Sequence, residues 1–515
     1  MDSLKAPFPK APRWWLLGVI VGLLALCLVA IWVRPATQRQ EQVIKTAGAV
    51  VIGLFLALLW LLVFSRLPWR LRLAVAALFI ALLCAPLALF RFRGFSGDLV
   101  PLVSPRWKPI SLPKTASPQD QRLPESWRGF PQFLGPARDG IIPGRPLARD
   151  WHAQPPQLLW RLPTGEGYAA FAIGGTKAIS LEQHGEKEIV VCRDLFTGAT
   201  LWTHEDTARF DNSLGGIGPR TTPAISGEHL FALGATGHLR CLELATGRLR
   251  WQRDILQDAG AKQPEWGVAG SPLVEGDLVI VHPGGPGHSL AAYRASNGEP
   301  AWSGGDARAG YSSPQLVTLL GEPQFLIFNH DAVAGHAVAD GRVLWSYRWT
   351  NAAQHVTDPR VVAANRFLVS TGYGAGADLV ELSRDSQNAW STHRLWHSQR
   401  LKSKFASLIL HEGFIYGLDD GRVTCIDLAN GEPRWKGERI GHGQLLLAGD
   451  LLLATAENGE VLLFEARSDA AQELGRFSAL DGKMWNPPAL APPFLIVRTE
   501  HEAACYRLPL AGGSR

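Results

Sequence analysis

The sequence predicts an all-β fold, an eight-bladed β-propeller preceded by three transmembrane α-helices. Three observations predict it. Apolar residues crowd into three uncharged runs near the N-terminus. The remainder repeats a strand, a Gly-containing turn and a short strand closing on Trp. The closing aromatics recur at steps of 42, 49, 51, 43, 51, 39 and 42 residues, the length of one four-stranded blade.

The uncharged runs are 14–33, 46–65 and 73–90, of 20, 20 and 18 residues. Each is long enough to cross a hydrocarbon core of about 30 Å as a helix. Pro86 leaves a re-entrant or tilted path open in the third run. A cleaved signal peptide fits poorly, because the first run exceeds a usual apolar signal core and two more follow it. Cys27 and Cys84 each follow Leu, where a lipid-attachment signal wants a small residue, so they read as apolar residues inside helices.

Charge divides the chain in the same place. Residues 1–114 hold 14 Lys+Arg against 3 Asp+Glu and the rest hold 37 against 43, so +11 lies with the helices and −6 beyond them. An acidic remainder argues against a nucleic-acid partner. The basic residues flank the runs, at Lys5, Lys10 and Arg13, at Arg66, Arg70 and Arg72, and at Arg91 and Arg93, where anionic head groups hold them. With the N-terminus inside, six Lys/Arg lie inside against seven outside, a balance that leaves orientation open. The chain thus reads as a membrane anchor over 1–93, a linker and propeller-opening motif over 94–150, and a propeller over 151–510. Ten prolines in 94–150 suggest an extended, semi-rigid spacer.

The repeat appears as VVCRDLFTGATLW ending at Trp202, LRCLELATGRLRW at Trp251, LAAYRASNGEPAW at Trp302, GHAVADGRVLW at Trp345 and VTCIDLANGEPRW at Trp435. Trp160 and Trp396 extend the column, and Phe477 is its expected eighth member. Asp420-Gly421 marks a hairpin between alternating runs. Upstream of the repeat, a strand opens with Ser or Thr before Pro, as in RTTPAI at 220–225, AGSPLV at 269–274 and YSSPQLV at 311–317. Eight closing positions imply eight blades, with seven as the alternative. After Trp485 the chain supplies only three strands, to about Leu508, and QLLWRL at 157–162 can serve as the fourth. Such closure removes an edge open to aggregation.

Cys192, Cys241 and Cys425 each stand six residues before a turn Gly, Cys505 occupies the matching strand, and two other blades carry Ala292 and Gly335 there. The position therefore selects small side chains. Equivalent sites on neighbouring blades lie about 10 Å apart or more. A disulfide needs Cα atoms within about 7 Å. Free thiols are expected.

These repeats resemble the propellers with pyrroloquinoline-quinone-type repeats, which likewise pair an alternating strand with a Thr/Asn-Gly turn and a closing Trp. The resemblance covers about 130–508, and FPQFLGPARDG at 130–140 looks like the phrase that opens many bacterial members. It implies an eight-bladed ring. It also implies two kinds of function, quinoprotein dehydrogenase and non-catalytic propeller, such as the lipoprotein of the outer-membrane β-barrel assembly machine. A dehydrogenase needs calcium held by carboxylate and amide oxygens, an Asp base, an Arg near the quinone oxygens and an aromatic platform. That set does not assemble in this sequence, and adjacent cysteines are absent.

No catalytic residue and no metal site is therefore assigned. His282 and His288 bracket a Gly/Pro turn, and Asp340, Asp419 and Asp420 sit beside turn glycines, all explained by turn chemistry. The first strand of each blade lines the channel, and its mouth column reads Tyr168, Arg220, Ala269, Tyr311, Val356, Phe405, His442 and Trp485, with Trp266, His355 and Lys404 close by. Asp358 is the one acidic residue expected near that mouth. Arg220, Trp266, Tyr311, His355, Lys404, His442 and Trp485 form the candidate ligand site, for a protein segment or a small anionic or aromatic ligand. Packing of a narrow channel would explain the same column. The expected function is a binding or scaffolding propeller on the extracytoplasmic side of a bacterial inner membrane, anchored in the lipid bilayer, with no cofactor. The alternative is a membrane-bound dehydrogenase of alcohols or sugars using pyrroloquinoline quinone (PQQ) and calcium.

Overall fold

A computed structural model describes residues 11–33, 38–107, 114–115, 123, 127, 129–349 and 354–512. It divides into two units, residues 1–111 and 112–515. The basic flanks Lys5, Lys10 and Arg34 lie outside the described residues, as does most of the linker between 108 and 128.

The first unit holds three apolar helices, α1 (Trp14–Val33), α2 (Arg39–Leu59) and α3 (Trp69–Leu89), each long enough to cross a membrane. α2 starts seven residues before the expected 46 because an Arg39, Glu41 and Lys45 turn still forms helix, with Lys45 paired to Glu41 one turn away. It runs on through a π-turn at Trp60–Phe64. α1 and α2 pack antiparallel: the Trp60 indole N–H donates to the Arg13 carbonyl at 3.0 Å, and at the other end Trp32 donates to Thr46 Oγ1 at 3.1 Å. Most of their apolar side chains are exposed, a surface suited to hydrocarbon and costly in water. After α3, Phe90–Phe95 and Pro101–Pro105 pair as an antiparallel hairpin where the spacer was expected to begin.

The second unit is an eight-bladed β-propeller. Blades 1 to 8 are numbered by their innermost strands, Ala172–Gly174, Ala224–Ser226, Leu273–Glu275, Gln315–Leu319, Arg360–Ala363, Ile409–His411, Gln444–Ala448 and Ala489–Ala491. Each blade is an antiparallel meander running outward. Middle strands are flanked by neighbouring blades on both faces, so they are nearly continuously apolar, as in Leu451–Thr455, where every residue is buried. Outermost strands alternate, as in Thr200–Thr207. Asp420 and Gly421 both have positive φ, +52° and +80°, the type I′ geometry expected of that hairpin. Blade 8 takes its outermost blade strand, Gln157–Pro163, from before blade 1, which closes the ring as expected.

The closing tryptophans join blade to blade. Trp160, Trp202, Trp251, Trp396 and Trp435 each donate their indole N–H to a carbonyl in the next blade, those of Leu195, Leu244, Ala295, Leu428 and Arg467, at 2.8 to 3.2 Å. Four of these rings lie on the turn glycine of the next blade, Gly198, Gly247, Gly298 and Gly431, while the turn at Arg467 that receives Trp435 carries no glycine. At Gly298, with φ +75°, an added Cβ would come 2.7 Å from the Trp251 ring, so neither the conformation nor the space admits a side chain. Trp345 departs from the pattern: it donates to Gln324 of its own blade at 2.6 Å, and the next blade carries Asn388 at φ +63° in its turn.

Phe477 is not the eighth member of the column. Register places Gly475 opposite Leu463, as Trp435 stands opposite Cys425, and Phe477 opposite Val461. The missing indole comes from outside the blades. Trp151 packs on Gly475, where a Cβ would sit 2.9 Å from its own, and meets Phe477 edge-on at 5.7 Å.

The segment around 130–148 is likewise no spacer. It crosses one end of the channel as a floor, about five residues further along each inner strand than the mouth column. Phe130 pairs with Ile173 of blade 1, Pro131 accepts from Ile225 of blade 2, Arg138 donates to Ser271 and Pro272 beside blade 3, and Gly140 and Ile142 bond Leu447 of blade 7. Leu147 bridges to Leu510. Gly140 has φ +76°, and a Cβ there would lie 2.7 Å from Ile409. The prolines that suggested an extended spacer instead sit in a run of turns, with Leu134, Gly135, Arg138 and Gly140 at positive φ, that crosses the floor.

Two predictions follow from this packing. Trp151→Ala should destabilise the ring about as much as Trp251→Ala, each by about 3–5 kcal/mol, although Trp151 lies in no blade; denaturant unfolding of the purified chain checks this. Cys192, Cys241, Cys425 and Cys505 are buried free thiols, each opposite a closing Trp. Burial pushes the first three up to about 12. All four should therefore resist maleimide in the native protein and label fully once it is unfolded.

Candidate functional site

The mouth column converges as the repeat predicts, because each inner strand begins at that end. His442, Phe405, Trp485 and Tyr168 form a continuous aromatic chain, with centroids 5.6, 5.2 and 5.3 Å apart in turn, and the last pair is stacked. Arg220 lies over Phe210 at 4.5 Å and Tyr168 at 5.8 Å, and its guanidinium donates to the carbonyls of Gly215, Gly216 and Gly218. The same glycine-rich loop supports Trp266, whose ring leaves no room for a Cβ at Gly215. Arg220 thus ties down the loop between blades 1 and 2, a structural task that the sequence alone did not reveal.

Other expected members differ in role. Lys404 is buried, with its ammonium 4.5 Å from the Tyr373 ring and 5.7 Å from Phe405. Tyr311 donates its backbone N–H to the His355 carbonyl at 2.8 Å, and burial pushes its phenol up to about 12. His355 lies flat on Phe328 at 4.3 Å with Nδ1 at the Asn329 carbonyl, so it packs between blades rather than facing the mouth.

Charge at the mouth is more balanced than expected. Glu457 accepts from the Trp485 indole at 2.7 Å and from the His442 backbone at 3.2 Å. Glu500 accepts from the Tyr168 hydroxyl at 3.1 Å and lies 3.8 Å from Lys483. Lys483 in turn stands 4.0 Å over the Trp485 ring. Burial and the Glu500 charge hold the Tyr168 phenol well above its usual range, while burial lowers Lys483. Glu457, Glu500 and Tyr373 all occupy turns between second and third strands, so a column built from those turns would have found them.

Asp358 is not at the mouth. It sits deeper, accepting from the Ser313 N–H at 2.7 Å and Ser407 Oγ at 3.3 Å, close enough to Arg360 and Arg138 that their charges oppose the upward push of burial on its carboxyl. His282 and His288 point to separate local partners, Asn329 Oδ1 and the Pro286 carbonyl, both at 2.9 Å. Asp419 holds Lys402 and Lys436.

The comparisons agree with this architecture. The family model described as "Outer membrane protein assembly factor BamB" matches residues 186–437. The Bordetella pertussis protein of that description is 24% identical over 322 residues, which cover 59% of this chain and 75% of the relative. A europium-containing methanol dehydrogenase superposes with a TM-score of 0.56 at 11% identity, covering 74% of this chain and 98% of the other. The quinohemoprotein alcohol dehydrogenase of Comamonas testosteroni does so at 0.53 and 12%, covering 75% and 81%. At such identities the dehydrogenases share the fold alone.

Burial lowers His282 to about 4, so its neutral ring is the folded form. The unfolded state then binds the extra proton below its ordinary value near 6.5, and stability falls as pH drops from about 6.5 towards 4, by about 3 kcal/mol. Thermal melts across that window should show the loss, and His282→Gln should flatten it.

Proposed function

We propose, from the premise that this chain carries a propeller of pyrroloquinoline-quinone-type repeats, that it is a membrane-tethered scaffold whose ring binds a protein partner on the extracytoplasmic side of a bacterial inner membrane. The observation that carries the reading is the condition of the mouth. Its aromatic rings pack against one another, with Tyr168 stacked on Trp485, and the carboxylates of Glu457 and Glu500 are engaged by Trp485, His442, Tyr168 and Lys483. A quinone needs an open aromatic platform, and calcium wants six to eight oxygens without a neighbouring ammonium. The residues present do not fit that pair, so no step through a quinone is derived. The similarity to an outer-membrane assembly factor favours protein binding over catalysis. An odd number of helices of spanning length supports the reading that the N-terminus and the ring lie on opposite faces of a bilayer.

Affinity capture of the tagged full chain from solubilised membranes should recover a protein partner in near-equal amount. Calcium-dependent dye reduction by the purified chain supplied with the quinone and alcohols or sugars would overturn the scaffold reading. A C-terminal reporter active only in the cytoplasm would overturn the orientation.

A further inference from the structure

The floor covers the ring unevenly. Five residues beyond each mouth residue lies an apolar side chain on the inner strand: Ile173, Ile225, Val274, Leu316, Val361, Leu410, Leu447 and Leu490 in blades 1 to 8. The repeat would bury them alike. Under the floor segment and its neighbours, Ile173, Leu447 and Leu490 are at most 2% exposed. Across the ring Leu316 remains 37% exposed, and Val274, Val361 and Leu410 are half-buried. Together with Val317, Val362 and Phe414 they wall a cleft of about 630 Å³ between blades 3 and 6, bounded on its inner side by Arg138 and Asp139 of the floor segment.

Two features of the cleft state what would fill it. The innermost strands of blades 4 and 5, Gln315–Leu319 and Arg360–Ala363, are edge strands with no strand on their inner side. On the covered half, that same edge is paired at two points by the chain's own floor segment: Phe130 to Ile173 in blade 1, and Gly140 and Ile142 to Leu447 in blade 7. Three buried donors bordering the cleft, Arg138 Nε, Gln315 Nε2 and Arg360 Nη2, also have no acceptor among the described residues. Peptide carbonyls would satisfy them. Exposed Glu275 and Glu412, with Asp139, make the rim acidic.

We propose that this open half of the floor binds an extended apolar segment of a partner protein, flanked by basic residues, by adding it as a strand to the inner edges of blades 4 and 5. The inference deepens the scaffold reading and rests on it. Backbone pairing supplies affinity, the half-buried Val and Leu side chains select an apolar alternation, and the acidic rim selects the flanks.

The test uses the full chain in detergent and a fluorescent decapeptide of alternating Val and Thr with lysines at both ends. Binding in the micromolar range is expected. Leu316→Asp combined with Val361→Asp should weaken it at least tenfold, and a copy of the peptide N-methylated at alternate amides should not bind. Because the aspartates face a cleft near the core, a second variant, Glu275→Lys with Glu412→Lys, changes only exposed rim charges; it should weaken the lysine-flanked peptide and favour a glutamate-flanked one. Absence of binding, equal binding of the N-methylated copy, or indifference to both variants overturns the proposal. The scaffold reading fails separately, if membrane capture with the unaltered chain yields no partner. A captured partner that both variants retain would keep the scaffold and sink the cleft.

Discussion

The ring depends on one contact repeated around much of it: an indole from the outer strand of one blade seated on a left-handed glycine turn of the next, with its N–H on a carbonyl there. A blade alone is a four-stranded sheet with two apolar faces, and no sheet of that size is stable with both faces wet. The indole contact fixes the spacing and the rotation between neighbours. Beneath four of the rings it uses a glycine of positive φ, and opposite most of the tryptophans a small residue on the same sheet, Leu379 opposite Trp396 being the exception. Those two demands explain the turn glycines and the Cys, Ala and Gly positions together.

Where the contact is interrupted, the chain compensates from elsewhere. Blade 7 has Gly475 at the closing position, and Trp151 fills the space from a segment that precedes the first blade. Blade 4 keeps its Trp but turns the indole N–H inward to Gln324, and the next turn uses Asn388 in the left-handed region. Both cases preserve the aromatic layer while changing which residue supplies it.

The architecture was legible because it is periodic. Blade number, the closing strand at 157–163, the Asp420-Gly421 turn and the unpaired cysteines all follow from spacing, and the structure agrees with each. The exceptions are the non-periodic parts. Phe477 stood near the right interval, and a step of 42 residues cannot distinguish it from Gly475 two residues earlier on the same face. The segment around 130–148 is rich in proline and has no apolar period, because its partners are spread over several blades rather than one face. At the mouth, Trp485, His442 and Arg220 meet neighbouring aromatic rings, while His355, in the loop before the Arg360–Ala363 strand, turns aside onto Phe328. Glu457 and Glu500 escaped a column drawn only from first strands.

Closure of blade 8 pairs the strand that precedes the first blade with the last three strands of the ring. This makes assembly strongly non-local, and non-local pairing is slow. During synthesis the Gln157–Pro163 strand must wait unpaired until every other blade has left the ribosome. Through that interval the growing solenoid of blades carries an open edge at each end, the state most exposed to aggregation or proteolysis.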